Sequence, residues 1–150
     1  MRLTRQTDYS LRVLMFCAAS GDRISRVIDV AQAYNVSQPF IFKLLSRLVS
    51  AGIVTTTRGR AGGIRLARPA SEITVGEVVR VAEDSLAIAD CFDVEAPDCP
   101  LETSCQLKLA FEDAREAFLA VLDDVTIDDL SKPSAAVMSL LAQIEKSPPQ

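Results

Sequence analysis

The sequence predicts a mainly α-helical chain with a small β-hairpin wing: a winged helix-turn-helix domain followed by a long C-terminal dimerisation helix. Three observations lead there. Two apolar patterns of helical period are joined by the short turn Asn35-Val36. A basic, glycine-rich hairpin follows directly, between Ile53 and Ala67. Further on, Leu107, Phe111, Ala114, Phe118, Val121 and Val125 alternate steps of four and three, a heptad seam of the kind that covers a second helix.

Taken in order, Thr7 is the expected N-cap of a first helix, with Asp8 favoured in the first turn by the helix dipole. Its apolar face is Tyr9, Val13, Leu14, Phe16 and Cys17, and Gly21 ends it. Ser25 is the expected cap of a second helix whose apolar positions are Val27, Ile28, Val30, Ala31 and Tyr34. Ser37 caps a third, with Pro39 tolerated in the first turn. There Phe40, Ile41, Leu44, Leu45, Leu48 and Val49 recur at helical spacing, and Ala51-Gly52 stops the run. Its outer side carries Gln38, Phe42, Lys43, Ser46 and Arg47. The β-branched run Ile53–Thr57 and the alternating Ile64–Ala67 form the wing around Arg58-Gly-Arg-Ala-Gly-Gly63. This loop lacks both the spacing and the following helix start of a nucleotide-binding glycine loop. Thr74 and Glu77 predict a capping box and a short helix to about Val81. Thr103 and Gln106 predict a second box, opening a long helix to about Asp124. Thr126-Ile-Asp-Asp-Leu130 caps a short turn of helix, and Ala135–Ile144 reads as a weak terminal helix. The expected division is a DNA-binding domain over 1–82, a cysteine loop over 83–105, a dimerisation helix over 106–131 and a weakly ordered tail over 132–150.

The net charge of −4 conceals a strong partition. Residues 1–70 hold eleven Lys or Arg against Asp8, Asp22 and Asp29, a balance of +8; residues 71–150 hold five against seventeen acids, a balance of −12. Such asymmetry points to a nucleic-acid-binding half joined to a half with another task. No apolar run is long enough to span a membrane, and no secretory leader is visible, so a cytoplasmic location with reduced thiols is expected. The chain contains no histidine, which excludes Ser/His/Asp and Cys/His catalysis and any imidazole metal ligand. The acids of the second half read as a solvated face, and no residue pattern supports an enzyme.

Three of the four cysteines, Cys91, Cys99 and Cys105, stand with seven and then five residues between them. The stretch holds acids and two prolines and little apolar material, so it reads as a loop. Three thiolates there suit an iron–sulfur cluster with one further ligand, or zinc with a carboxylate, or three unconnected reduced thiols. Cys17 lies within an apolar helix face and is assigned to packing.

With those residues in place, the sequence resembles the iron–sulfur winged-helix regulators that include IscR, NsrR and RirA. The matching features are Met1-Arg-Leu-Thr4, Thr7-Asp-Tyr9, the wing Arg58–Gly63, Thr74-Val-Gly-Glu-Val78, the three cysteines and Thr126–Leu130, covering residues 1 to about 131. The resemblance implies a homodimeric repressor on palindromic double-stranded DNA, with one cluster per subunit, of the 4Fe-4S type, near crossing C-terminal helices. It implies Cys91, Cys99 and Cys105 as ligands. IscR-like members place a histidine shortly after the third cysteine, whereas this chain has Gln106-Leu-Lys-Leu109. Asp8 matches the acid that NsrR-like, nitric-oxide-responsive members send to the other subunit's cluster. The seven-residue gap and the Cys91-Phe, Cys99-Pro-Leu and Phe42-Lys43 contexts match RirA-like, iron-responsive members. The reading taken is a repressor responding to iron availability, with nitric oxide or oxygen as the alternative signal.

At DNA, the third helix is expected to enter the major groove with Gln38, Pro39, Phe40, Phe42 and Lys43, and with Arg47 further along. Lys43 suits a guanine edge, Gln38 an adenine, and Phe40 or Phe42 a thymine methyl. Arg58 is placed at the minor groove, and Arg60 and Arg65 at phosphates. An iron–sulfur scaffold or electron-transfer module, the competing class, would leave the +8 half without a purpose.

Overall fold

The computed structural model describes residues 2–59, 62–92, 99 and 104–132. In chain order these form α1 (Arg5–Ala19), α2 (Val27–Ala33), α3 (Gln38–Ser50), β1 (Val54–Thr57), β2 (Gly63–Leu66), α4 (Val75–Ala82), α5 (Gln106–Asp123) and α6 (Ile127–Ser131). Single 3₁₀ turns stand at Ala70–Glu72 and Asp90–Phe92. The described chain is mainly helical with one antiparallel hairpin, as the sequence predicts. Arg60 and the expected helix over Ala135–Ile144 lie outside the described residues.

The start of α1 differs from expectation. Thr4, not Thr7, is the N-cap, and it makes no side-chain cap bond. The acceptor comes instead from the end of α4: Glu83 Oε1 accepts the Thr4 N–H at 2.7 Å and the Thr7 hydroxyl. Thr7 is fully buried in consequence. A carboxylate at a helix N-terminus satisfies orphan amides and complements the dipole, so Glu83 does from across the fold what a local cap would do.

Ser25 is likewise no helix cap; Arg26 precedes α2 in that position. Ser25 exchanges backbone bonds with Ile64, at 2.9 and 2.8 Å, and so adds an isolated antiparallel bridge to the free edge of β2. A Cβ on Gly63 would stand 2.3 Å from the Ser25 carbonyl oxygen, which makes glycine obligatory there. Asn35 takes φ 50° in the turn before α3, a left-handed conformation that asparagine tolerates. Ser37 then accepts the Phe40 N–H at 3.4 Å, as the sequence predicts.

These helices close one core. Val13, Leu14, Phe16 and Cys17 of α1 meet Val30 and Ala31 of α2, Ile41, Leu44, Leu45 and Leu48 of α3, and Ile53, Val54 and Ile64 of the hairpin. Full burial of each such aliphatic side chain contributes roughly 1.5–3 kcal/mol. Val49, expected on the apolar face of α3, is instead 39 % exposed.

Thr74 caps α4 by accepting the Glu77 N–H at 3.1 Å, but the Glu77 carboxylate turns to Arg68, so only half of the expected capping box forms. α5 begins at Gln106 with Cys105 as its N-cap and no side-chain cap bond, and Thr103, the other half of the second expected box, lies outside the described residues. None of the eighteen residues of α5 is buried. Beyond its end the chain returns to the core. Val75 N–H donates to Val125 O at 2.8 Å, and Ile127 N–H donates to Ile73 O at 2.9 Å. Ile127 is thereby fully buried in the same cluster as α1. A complete capping box on Thr126 and Asp129 fixes α6.

That box generates a test. Lys132 and the Thr126 hydroxyl and amide hold the Asp129 carboxylate far below its usual range. A depressed folded-state pKa contributes stability that is present above the unfolded carboxylate value, about 3.9, and lost as pH falls below it. Thr126→Ala should lower stability by roughly 0.5–2 kcal/mol at neutral pH, read from urea unfolding. The deficit should narrow as pH falls through the carboxylate range. A deficit that does not change with pH would contradict the assignment.

Candidate nucleic-acid interface and cysteine segment

The first turns of α3 place Gln38 and Pro39 at the surface, and Phe42 stands 55 % exposed beside exposed Lys43. Phe40 does not share that role. It is half-buried, in edge-to-face contact with Tyr9 at 5.4 Å, with the Arg5 guanidinium 5.8 Å from its ring centre. The two phenylalanines are thus resolved: Phe40 packs α3 on α1, and Phe42 faces outward. Between α2, α3 and the wing runs an open cleft of about 470 Å³, lined among others by Ile28, Gln38, Phe42, Arg58 and Ile64. Three of the sequence-predicted contacts, Gln38, Phe42 and Arg58, therefore lie on one surface. Ile28, expected in the core of α2, is 41 % exposed on that cleft. The adjacent Val30 and Ala31 already fill the core, and a helix of seven residues has one buried stripe.

Arg65 is exposed on β2 and its Nε–H donates to Thr55 Oγ1 at 3.4 Å. Arg47 departs from the outward position expected of it. Its Nη1–H donates to Ala82 O at 2.9 Å, and its other terminal nitrogen pairs with Asp84. Sequence reasoning missed this engagement, for which no local pattern exists.

Asp8 is exposed on α1 and ion-paired with Arg12 at 3.0 Å, one turn on. That hydrogen bond raises the Arg12 guanidinium above its ordinary value.

Of the three clustered cysteines, Cys91 sits in the turn Asp90–Phe92 and is half-buried, Cys99 is exposed, and half-buried Cys105 opens α5. Arg115 of α5 stands 5.4 Å from the Phe92 ring centre, a cation–π contact that holds the Cys91 turn against that helix. Among the described residues no three Cys, Asp or Glu side chains already converge on one point. Most of the connecting loop, 93–98 and 100–103, lies outside those residues. Cys17 is 2 % exposed, and burial pushes its thiol up to about 12 against the opposing hydrogen bond from Ser25.

The seam residues divide in the same way. Leu107 and Val121 are 61 % and 65 % exposed, Ala114 is exposed, and Phe111 and Phe118 are half-buried. Val125 lies beyond the last turn of α5 and belongs to the pairing with Val75. Leu109, which the seam omits, is also 53 % exposed. Among the described residues, no helix is long and apolar enough to cross a membrane.

The difference in thiol environment can be measured directly. Under native conditions at pH 8, iodoacetamide should modify Cys99, Cys91 and Cys105 well before Cys17, because the thiolate is the nucleophile and burial suppresses it. Peptide mass spectrometry showing Cys17 labelled as fast as Cys99 would contradict the packing role.

Against known proteins, residues 3–133 match the family model Rrf2, described as "Iron-dependent Transcriptional regulator". The chain is 52 % identical to Protein aau3 of Rhizobium meliloti, over all of this chain and 97 % of that one. It is 43 % identical to the HTH-type transcriptional regulator NsrR of Bacillus subtilis, over 97 % of this chain and all of the relative. Its fold matches the oxidized form of Staphylococcus aureus CymR with a TM-score of 0.69 at 25 % identity, covering 89 % of this chain and 98 % of that structure. With its winged helix-turn-helix and a match over nearly its whole described length, the chain belongs to the Rrf2 family of DNA-binding transcriptional regulators.

Proposed function

We propose that the protein is a homodimeric repressor that binds palindromic DNA through its winged domain and senses iron availability or nitric oxide through an iron–sulfur cluster on Cys91, Cys99 and Cys105. One observation carries the reading: a basic reading face, with Gln38, Phe42 and Arg58 around one cleft, shares a chain with three accessible thiols beside a long helix that has no buried residue.

The donor set fits such a group. All four cysteines are free, and core packing withdraws Cys17, leaving three soft donors at the surface. Three thiolates suit an iron–sulfur cubane that takes its fourth ligand elsewhere. Asp8 is the candidate for that position: it is exposed, on the helix that supports α3, and its present partner Arg12 is a surface ion pair of low cost to break. When bound, a 4Fe-4S cluster would supply an iron open to loss or to attack by nitric oxide. Cys105 stands at the start of α5, and Arg115, midway along that helix, orients the Cys91 turn through Phe92.

The second copy is supported by α5 itself. Leu107, Phe111, Ala114, Phe118 and Val121 remain uncovered or half-covered in a chain whose core is otherwise closed. Two such faces, packed on each other, would set two reading heads about a two-fold axis, which suits a palindromic site. On DNA, Lys43 and Gln38 would read base edges, Phe42 a thymine methyl, Arg58 the minor groove and Arg65 a phosphate. Free thiols in this number suit the reducing cytoplasm.

Ligand substitutions test the proposal. Cys91→Ala, Cys99→Ala and Cys105→Ala should each abolish the visible absorption of the anaerobically loaded protein, whereas Cys17→Ala should retain it. Asp8→Ala should load a cluster that loses iron faster to a chelator. Retention of the absorption in any of the first three would remove that cysteine from the ligand set.

A further inference from the structure

We infer that the C-terminal turn of α4 couples the cysteine segment to the reading helix, with Arg47 and Asp84 as positioning residues. Three successive residues there are pinned to two points of the DNA-binding domain: Ala82 and Asp84 to Arg47, and Glu83 to the start of α1. Arg47, in the last turn of α3, donates from one terminal nitrogen to Ala82 O at 2.9 Å and from the other to the Asp84 carboxylate. Glu83, between them, accepts the Thr4 N–H and the Thr7 hydroxyl at the start of α1. One turn earlier, Arg80 pairs with Asp123 of α5 through two bonds of 2.6 Å. Residues 80–84 therefore touch α1, α3 and α5, and the chain leaving Asp84 reaches Cys91 seven residues later.

The chemistry favours a geometric role over a stabilising one. The Ala82 carbonyl is one of the orphan acceptors at the end of α4, and a guanidinium fork fits it and a neighbouring carboxylate together. Asp84 is 74 % exposed, so as an isolated surface ion pair it would add little to stability. What the pair adds is register. The side chains at both ends of α3 project from one rigid helix, so a displacement of residues 82–84 moves Gln38, Phe42 and Lys43 with it. The same contacts hold the Arg47 side chain on residues 82–84.

The contacts stand by themselves, while the signal they carry rests on the cluster reading above; the test separates the two. Asp84→Asn removes the charge, Asp84→Glu retains it, and Arg47→Lys keeps a positive charge but loses the fork. In wild type, duplex affinity should differ between cluster-loaded and cluster-free protein by about 5–150-fold, the usual span of allosteric coupling. Asp84→Asn and Arg47→Lys should bring that ratio towards one with an unchanged thermal midpoint, and Asp84→Glu should restore it. Hydrogen exchange on the cluster-free protein should show faster exchange in Asp84→Asn over both residues 83–92 and the start of α3. Exchange altered only over 83–92, or a full affinity ratio in Asp84→Asn, would overturn the coupling. A wild type indifferent to its cluster would overturn the functional reading, and the exchange result would still decide the coupling.

Discussion

The structure depends on the pairing of Ile73–Val75 with Val125–Ile127. Two backbone bonds of 2.8 and 2.9 Å bring the chain back from the far end of α5 and press Ile127 into the core beside α1. Without that return, the long helix would be an appendage tethered at one end by the cysteine segment. With it, α5 is anchored at its C-terminus by the pairing and by Arg80–Asp123, and the Cys105 end projects from that anchor. A Cβ on Gly76 would stand 2.0 Å from Asp123 Oδ1, so a side chain there would displace the carboxylate that Arg80 holds. The anchor fixes the direction of α5, along which Leu107, Leu109 and Val121 stay exposed.

Charge gives the two halves separate environments. The first seventy residues, with a basic balance, include Lys43 of α3 and Arg58 and Arg65 of the wing, and the acidic balance falls in the sequence after them. Duplex DNA attracts a basic segment and repels an acidic one. Several of the basic residues are nonetheless committed inside the protein. Arg26 is bonded to Asp29, Arg47 to Asp84 and Arg68 to Glu77. The number available to phosphates is therefore smaller than composition suggests.

Much of the fold was legible because its signals are local. The apolar periods of α1 and α3, the Ser37 cap, the hairpin glycines and the Thr126 box each act within a few residues, and the structure shows each one. Three of the misses share a cause, which is distance in sequence. Thr7 has the composition of a cap, yet its partner Glu83 is 76 residues away. Ser25 lies before a helix, yet it pairs with Ile64 across the wing. Arg47 has the spacing of an outward residue, yet Ala82 and Asp84 occupy it. In the candidate site, Cys17 was separable from the other thiols by its apolar neighbours, and burial agrees. Which phenylalanine faces outward was not legible, because only the position of Tyr9 decides it.

In the proposed function, the accessible thiols and the exposed side of α5 belong to one assembly, a dimer carrying a cluster on each subunit. Native mass spectrometry of the anaerobically prepared protein tests it most directly, since one spectrum reports both subunit number and bound mass. The expected spectrum is a dimer whose excess mass equals two 4Fe-4S clusters, lost stepwise on iron chelation or on exposure to nitric oxide. A dimer bearing zinc, or a monomer with three unmodified thiols and no bound metal, would contradict it.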